Sequence, residues 1–125
     1  MTELNTYFKS IIDQDSAAVV ICDLTHTIIY MNPASVKSYE KRGGAALVGQ
    51  SLLNCHNPKS CEMIAKVVEW FEAGPSHNLI HTFYNVKQNK DVYMVALRDE
   101  DQKLIGYYEK HEFRNRDEAP LYDFS

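Results

Sequence analysis

The sequence has no long hydrophobic run and no excess of basic residues. No stretch approaches the ~18–20 consecutive apolar residues that a membrane-spanning helix needs, and no apolar signal segment opens the chain. The formal net charge of −4 argues against a nucleic-acid ligand, because proteins that bind nucleic acids present a basic face. We therefore expect a cytoplasmic protein that binds neither membranes nor nucleic acids.

Recognisable catalytic motifs are also missing. The chain has no Gly-rich phosphate-binding loop, no nucleophile elbow and no His-Glu-x-x-His metal site. Its three cysteines, Cys22, Cys55 and Cys61, are an odd number, and without a signal segment they favour free thiols in a reducing compartment. The 125 residues, 45% of them hydrophobic, suffice for one domain with a core. We expect a binding or signalling protein and not an enzyme.

Residues 1–13 have the periodicity of an amphipathic helix. Apolar residues recur at i, i+3, i+4, i+7 and i+8, which places them on one helical face: Leu4, Tyr7, Phe8, Ile11 and Ile12. A helix this short is marginal alone, so its stripe has to be buried against the sheet or another chain. We expect a homodimer that uses the stripe.

Residues 14–113 predict one domain with the element order ββαααβββ, followed by a charged tail over 114–125. Two strands, at 17–22 and 27–31, flank a polar turn and form a predicted hairpin. Three later strands are predicted at 78–86, 91–97 and 104–111, joined by short polar links. Both faces of the middle one are apolar, so we expect it to be covered on each side.

Two Asn-Pro pairs mark helix starts, because Asn caps the free amides and Pro suits the first helical position. The helix after Asn32-Pro33 is predicted to end near Gly43-Gly44, and a short helical piece, broken by Gly49, follows over 45–53. The helix after Asn57-Pro58 is predicted to end at Gly74-Pro75. Its apolar stripe should face the sheet and contains Cys61, Ile64, Val67, Val68 and Phe71.

Three motifs in this order resemble those of the PAS family. They are Ile-Ile-Tyr-Met-Asn-Pro-Ala at 28–34, Leu-Val-Gly-Gln-Ser-Leu at 47–52, and Arg-Asp-Glu-Asp-Gln-Lys-Leu-Ile-Gly at 98–106. The resemblance extends roughly from Tyr7 to Phe113. Residues 55–60, Cys-His-Asn-Pro-Lys-Ser, also resemble the Cys-His-Pro-Pro-Lys-Ser turn of bacterial PAS modules often found beside hemerythrin-like domains, with Asn57 in place of the first proline.

The resemblance implies an α+β fold, a five-stranded antiparallel sheet with helices packed on one face. It also implies a sensory or signalling module that holds a small molecule or cofactor between sheet and helices and dimerises. Many PAS modules end in an Asp-Ile-Thr that couples to an effector, but here the sequence is His111-Glu112-Phe113. We therefore expect signalling through a separate protein. The alternative is a purely structural interaction module with a filled core.

The turn before the longest helix concentrates the reactive side chains. With Asn57 as the cap, His56 and Cys61 occupy the two positions that often pack together as a hydrophobic staple, and the positive helix end favours a thiolate. Three interpretations stay open: a packed staple, a heme iron bound by His56 or a cysteine, and a thiol redox sensor. A zinc site is disfavoured, because such sites usually use four ligands.

The predicted pocket lies between the longest helix and the last three strands, with His56 at its mouth. Methionines tolerate irregular packing and leave room there. The cofactor is unknown, and heme, with His56 as the ligand of the iron, is the leading candidate. The remaining histidines, among them His111, are expected to be solvent-facing or hydrogen-bonded. The predicted lining residues are His56, Cys55, Cys61, Met63, Ile64, Phe83, Met94 and Tyr108.

Overall fold

Five antiparallel strands form one sheet in the order β2-β1-β5-β4-β3. The computed structural model describes residues 2–124. The helices and strands match the predicted order and the α+β fold class. They are α1 (Leu4–Gln14), β1 (Val19–Asp23), β2 (Ile28–Met31), α2 (Pro33–Ser38), α3 (Pro58–Glu72), β3 (Leu79–Asn85), β4 (Lys90–Arg98) and β5 (Leu104–Phe113).

Helix α3 packs on the sheet through the predicted stripe. Ile64, Val67 and Phe71 are buried, and Val68 packs against the same core. The Asn57 side chain caps the helix by accepting a hydrogen bond from the Ser60 amide at 2.8 Å, with Pro58 in the first turn. The prediction for this helix is confirmed, and its burial against the sheet contributes to one continuous hydrophobic core.

The segment between α2 and α3 has less regular helix than predicted. Helix α2 ends at Ser38, before Gly43-Gly44, and the helical piece over 45–53 takes the form of 3₁₀ turns at Gly44–Leu47 and Leu52–Cys55, with the expected break at Gly49 between them. The reason is backbone pairing with the β2 edge: the Gly49 amide donates to the Ile28 carbonyl at 2.7 Å, and the Leu52 amide donates to the His26 carbonyl at 2.8 Å. A regular helix would use these amides internally, and Gly49 has a positive φ of 94° that a helix interior does not accommodate.

Asn32 is fully buried and joins three elements. Its side-chain oxygen accepts hydrogen bonds from the Val19 amide at 2.9 Å and the Ser35 amide at 3.0 Å. Its side-chain nitrogen donates to the carbonyls of Ile12 and Ala17, each at 3.0 Å. One amide group therefore ties the end of α1, the start of β1 and the first turn of α2 together.

Helix α1 forms as predicted, but most of its apolar stripe is exposed. Leu4 and Ile11 are 63% and 70% exposed, whereas Ile12 is half-buried. The helix is joined to the domain near its C-terminal end, where the Tyr30 hydroxyl donates a hydrogen bond to Asp13 and the Asn32 side chain donates one to the Ile12 carbonyl. Within residues 2–124, no helix is long and apolar enough to cross a membrane.

The two Asn-Pro caps offer a matched test of the Asn32 network. Asn32→Ala should lower the free energy of unfolding by at least about 3 kcal/mol, because several buried groups lose partners at about 1–3 kcal/mol each. Asn57→Ala, at an exposed cap, should cost only about 1 kcal/mol. Urea unfolding of both variants measures the difference, and equal losses would show that Asn32 is an ordinary helix cap.

Candidate functional site

A cavity of about 680 Å³ lies between the start of α3 and the inner face of β3, β4 and β5. It falls within the ~300–1,000 Å³ range of small-molecule sites. Its wall is apolar where α3 meets β4, and polar toward the end of β5. The residues that line it include Tyr39, His56, Met63, Ile64, Thr82, Phe83, Lys90, Val92, Met94, Glu109 and His111.

The pairing of β4 with β5 places the ionisable residues in this cavity. Met94 pairs with Glu109, and Val92 pairs with His111. Because successive strand residues point to opposite faces, Glu109 and His111 share the inner face with the buried Tyr107. Lys90, two residues before Val92, also lines the cavity.

His56 reaches the cavity from the turn before α3. Its Nδ1 lies 2.9 Å from the Leu52 carbonyl, and since a carbonyl only accepts, Nδ1 carries the proton. Its Nε2 lies 3.7 Å from Glu109 Oε1. The ring is thus held by the turn, and its second nitrogen is directed at the sheet.

The side chain of His111 is buried, and its polar atoms are not matched by the residues around it. Its side chain is 7% exposed, and neither ring nitrogen has a partner within residues 2–124. The Glu109 Oε2 atom lies 3.8 Å from Nε2, which is beyond hydrogen-bond distance. The expectation that this histidine is solvent-facing or hydrogen-bonded was wrong, because the strand register turns it inward. Buried polar groups are nearly always hydrogen-bonded, so the lack of a hydrogen-bond partner for this imidazole requires an explanation.

Lys90 is a buried cation with no carboxylate close to it among residues 2–124. Its ammonium lies over the Phe113 ring, 5.8 Å from the centroid, and no carboxylate of the described chain is at salt-bridge distance from it. Burial lowers the pKa of Lys90 below the usual lysine value, and the more distant Glu109 carboxylate opposes this only in part. The cavity therefore contains one positive and one negative group that do not pair directly.

Comparison with solved structures decides the fold. A PAS domain from Colwellia psychrerythraea superposes with a TM-score of 0.65 at 18% identity, covering 89% of this chain and 97% of that one. A C-terminal domain from Streptococcus mutans gives a TM-score of 0.67 at 18% identity, over 87% and 84% of the two chains. The Aer2 receptor of Vibrio cholerae, described as a dual PAS-heme oxygen sensor, gives 0.55 at 18% identity, over 75% and 90%.

This chain has the PAS fold. No model of a known family matches the sequence, and no curated protein does. At these identities the likeness extends to the fold alone, so the site has to be argued from the chain's own residues.

The structure brings together five of the eight predicted site residues. His56, Met63, Ile64, Phe83 and Met94 line the cavity, whereas the other three residues do not. Tyr108 lies on the opposite face of β5, since its neighbours Tyr107 and Glu109 face inward. Cys55 packs against the core outside the lining, and the Cys61 thiol donates to the carbonyls of Leu53 and His56 at 3.4 and 3.7 Å.

Three lining residues that matter most were missed: Lys90, Glu109 and His111. The sequence contained one signal for two of them, the alternation of side chains between the two faces of a strand. Glu109 and His111 fall two and four residues after Tyr107 and so share its face. Which face is inward depends on how β5 pairs with β1 and β4, which the sequence pattern alone does not reveal.

The thiol chemistry of Cys22 is suppressed by its surroundings. Burial raises the pKa of this thiol to about 12, so it stays protonated and unreactive at neutral pH. All three cysteines are free. Among residues 2–124, no group of three or more histidine, cysteine, aspartate or glutamate side chains is arranged to hold a metal ion.

Heme fits this cavity poorly. The orientation of His56 is suitable, because a metal-bound histidine usually donates its other N–H to a carbonyl or carboxylate. However, Nε2 faces the Glu109 carboxylate at 3.7 Å, where a porphyrin ring would have to lie. The opposite wall carries Lys90, Glu109 and His111 beside Val92 and Met94, so a porphyrin face there would lie against ionisable groups as well as apolar ones.

The unpaired Lys90 should lower stability when the cavity contains no ligand. Lys90→Met is expected to raise the free energy of unfolding at pH 7 by about 0.5–2 kcal/mol, as substitutions that relieve strain at functional sites do. Because the folded-state pKa is lowered, the cost is present below that pKa and disappears as the pH rises toward the unfolded value of 10.5. The gain should therefore shrink in urea titrations at pH 10.

Lys66→Met provides the control, because Lys66 lies on the exposed face of α3 and pairs with Glu62. It should change the free energy of unfolding by no more than about 0.5 kcal/mol. A destabilised Lys90→Met protein would mean that the ammonium is well solvated or paired.

Proposed function

We propose that this PAS domain is a sensory module that binds a small organic molecule in the cavity between α3 and strands β3–β5. The observation that carries the proposal is a roughly 680 Å³ space lined by the His111 ring, whose nitrogens are buried without a hydrogen-bond partner within residues 2–124, and by Lys90, which has no carboxylate of those residues at salt-bridge distance. The alternative, a structural module with a filled core, gives no reason for burying an unbonded His111 and an unpaired Lys90, since such groups cost free energy.

Sensing requires that occupancy of the cavity be transmitted to another chain. The exposed stripe of α1 supplies a surface for this, because Tyr7 and Phe8 lie beside Leu4 and Ile11 and all four are exposed. The C-terminal end of α1 is joined to the domain through Asn32 and Tyr30. We propose that α1 mediates a homodimer, and that a separate signalling protein responds to the dimer. In this proposal the protein is a binding module and catalyses no reaction.

Occupancy of the cavity can be tested with the fluorescent probe 1-anilinonaphthalene-8-sulfonate. Its aromatic body suits the apolar wall and its sulfonate suits Lys90, so we expect one saturable site. Val92→Trp, which places a large ring in the cavity, should weaken the affinity by at least about tenfold. Val86→Trp is the matched control, because Val86 is exposed between β3 and β4. Equal affinities for the two variants would refute binding in the cavity.

The role of α1 can be tested by placing charge in its stripe. Ile11→Glu should convert a dimer at micromolar concentration into a monomer, because a buried unpaired carboxylate opposes an apolar interface. Thr6→Glu, on the opposite face of α1, should leave the dimer intact. Light scattering measures both masses, and a monomeric unmodified protein would exclude this mode of assembly.

A further inference from the structure

Lys90 and Glu109 hold opposite charges in the cavity without neutralising each other. They lie on neighbouring strands but four register pairs apart, since Lys90 pairs with Phe113 whereas Glu109 pairs with Met94. Both are buried and both line the cavity. Buried charges are normally paired and hydrogen-bonded. Within residues 2–124, however, Lys90 has no carboxylate at salt-bridge distance, and Glu109 has only the imidazoles of His56 and His111 within that distance.

The two imidazoles do not supply those partners. Glu109 lies 3.7 Å from His56 Nε2 and 3.8 Å from His111 Nε2, and both distances exceed a hydrogen bond. His111 has no hydrogen-bond partner at either nitrogen among residues 2–124, although its side chain is more than nine-tenths buried. The polar groups around the carboxylate are thus close enough to share a bound group, but not close enough to satisfy one another.

Apolar side chains line the cavity between and around the charged groups. Val92 and Met94 follow Lys90 on the inner face of β4, and Met63 and Ile64 of α3 face them. A ligand that contacts both charges therefore also contacts an apolar wall. A neutral heterocycle would leave both charges without counter-ions, and a simple anion would leave Glu109 unpaired.

We propose that the ligand is a zwitterion, an amino acid with a large apolar side chain. Its carboxylate binds Lys90, its ammonium binds Glu109 between the rings of His56 and His111, and its side chain packs on Met63, Val92 and Met94. This assignment rests on the proposed function, because it requires that the cavity take a ligand at all.

Matched probes separate the contribution of each charge. Tryptophan carries both charged groups, tryptamine lacks the carboxylate, and indole-3-propionate lacks the ammonium. Phenylalanine, phenethylamine and 3-phenylpropionate form a second set with a smaller body. Calorimetric titration of the full chain measures the affinities. In at least one set, the amino acid should bind at least about tenfold more tightly than each of its two analogues, because each analogue lacks one charged group and so loses one charge pair.

Two variants assign the charges to residues. Lys90→Met should reduce amino-acid affinity to that of the matching amine and leave amine binding unchanged. Glu109→Gln should reduce it to that of the matching carboxylate and leave carboxylate binding unchanged. Thermal unfolding of each variant shows that it is folded before titration.

The outcomes distinguish this inference from the proposed function. If an analogue binds as tightly as its amino acid in both sets, or if neither amino acid binds while 1-anilinonaphthalene-8-sulfonate still occupies the cavity, the zwitterion assignment is overturned and the cavity remains a binding site. If the fluorescent probe also fails to bind in the cavity, the proposed function fails as well.

Discussion

The antiparallel register between β4 and β5 is the constraint on which the site depends. It places Glu109 beside Met94 and His111 beside Val92, all on the inner face. A slip by one residue would move every side chain of β5 to the other face, placing Glu109 and His111 on the outside and Tyr108 in the core. Gly106 helps to fix the pairing of β5 with β1, because a Cβ there would lie 2.2 Å from the Cys22 carbonyl oxygen.

Local patterns in the sequence were sufficient for the elements and their order. The caps at Asn32 and Asn57 and the stripe of α3 depend on residues close together in the chain, and all three were predicted correctly. The segment 45–53 was predicted as a helical piece broken by Gly49, and it forms 3₁₀ turns on either side of Gly49 because its amides bond to the β2 edge, a long-range pairing that outweighs local helix propensity. The motifs resembling the PAS family supplied the topology, which periodicity alone does not determine.

The candidate site was predicted only in part, because its ionisable residues do not follow the local sequence pattern. Apolar lining residues such as Met63, Ile64 and Met94 follow from helix and strand periodicity, because they belong to the core side of their elements. Lys90, Glu109 and His111 violate the rule that ionisable residues face water, so a pattern-based prediction places them outside. Such violations are expected at functional sites, where stability is given up for binding.

The same strand connects the cavity to the outer surface. Asp91 follows Lys90 on β4 and points to the opposite face, where Arg114 donates to both of its carboxylate oxygens at 2.8 and 2.7 Å. A bidentate pair of this kind is geometrically specific, although its exposed arginine limits its contribution to stability. Lys90 contacts the cavity, and its neighbour Asp91 holds Arg114 and with it the C-terminal segment. A ligand that repositions Lys90 would therefore act directly beside this ion pair.

A high-resolution crystal structure of the protein purified from cells without added ligand tests the central claim most directly. The account predicts electron density for a bound molecule between α3 and the sheet, with one polar end at Lys90 and another at Glu109. A closed cavity, in which Lys90 and Glu109 contact each other directly and His111 bonds to a neighbouring side chain, would contradict it.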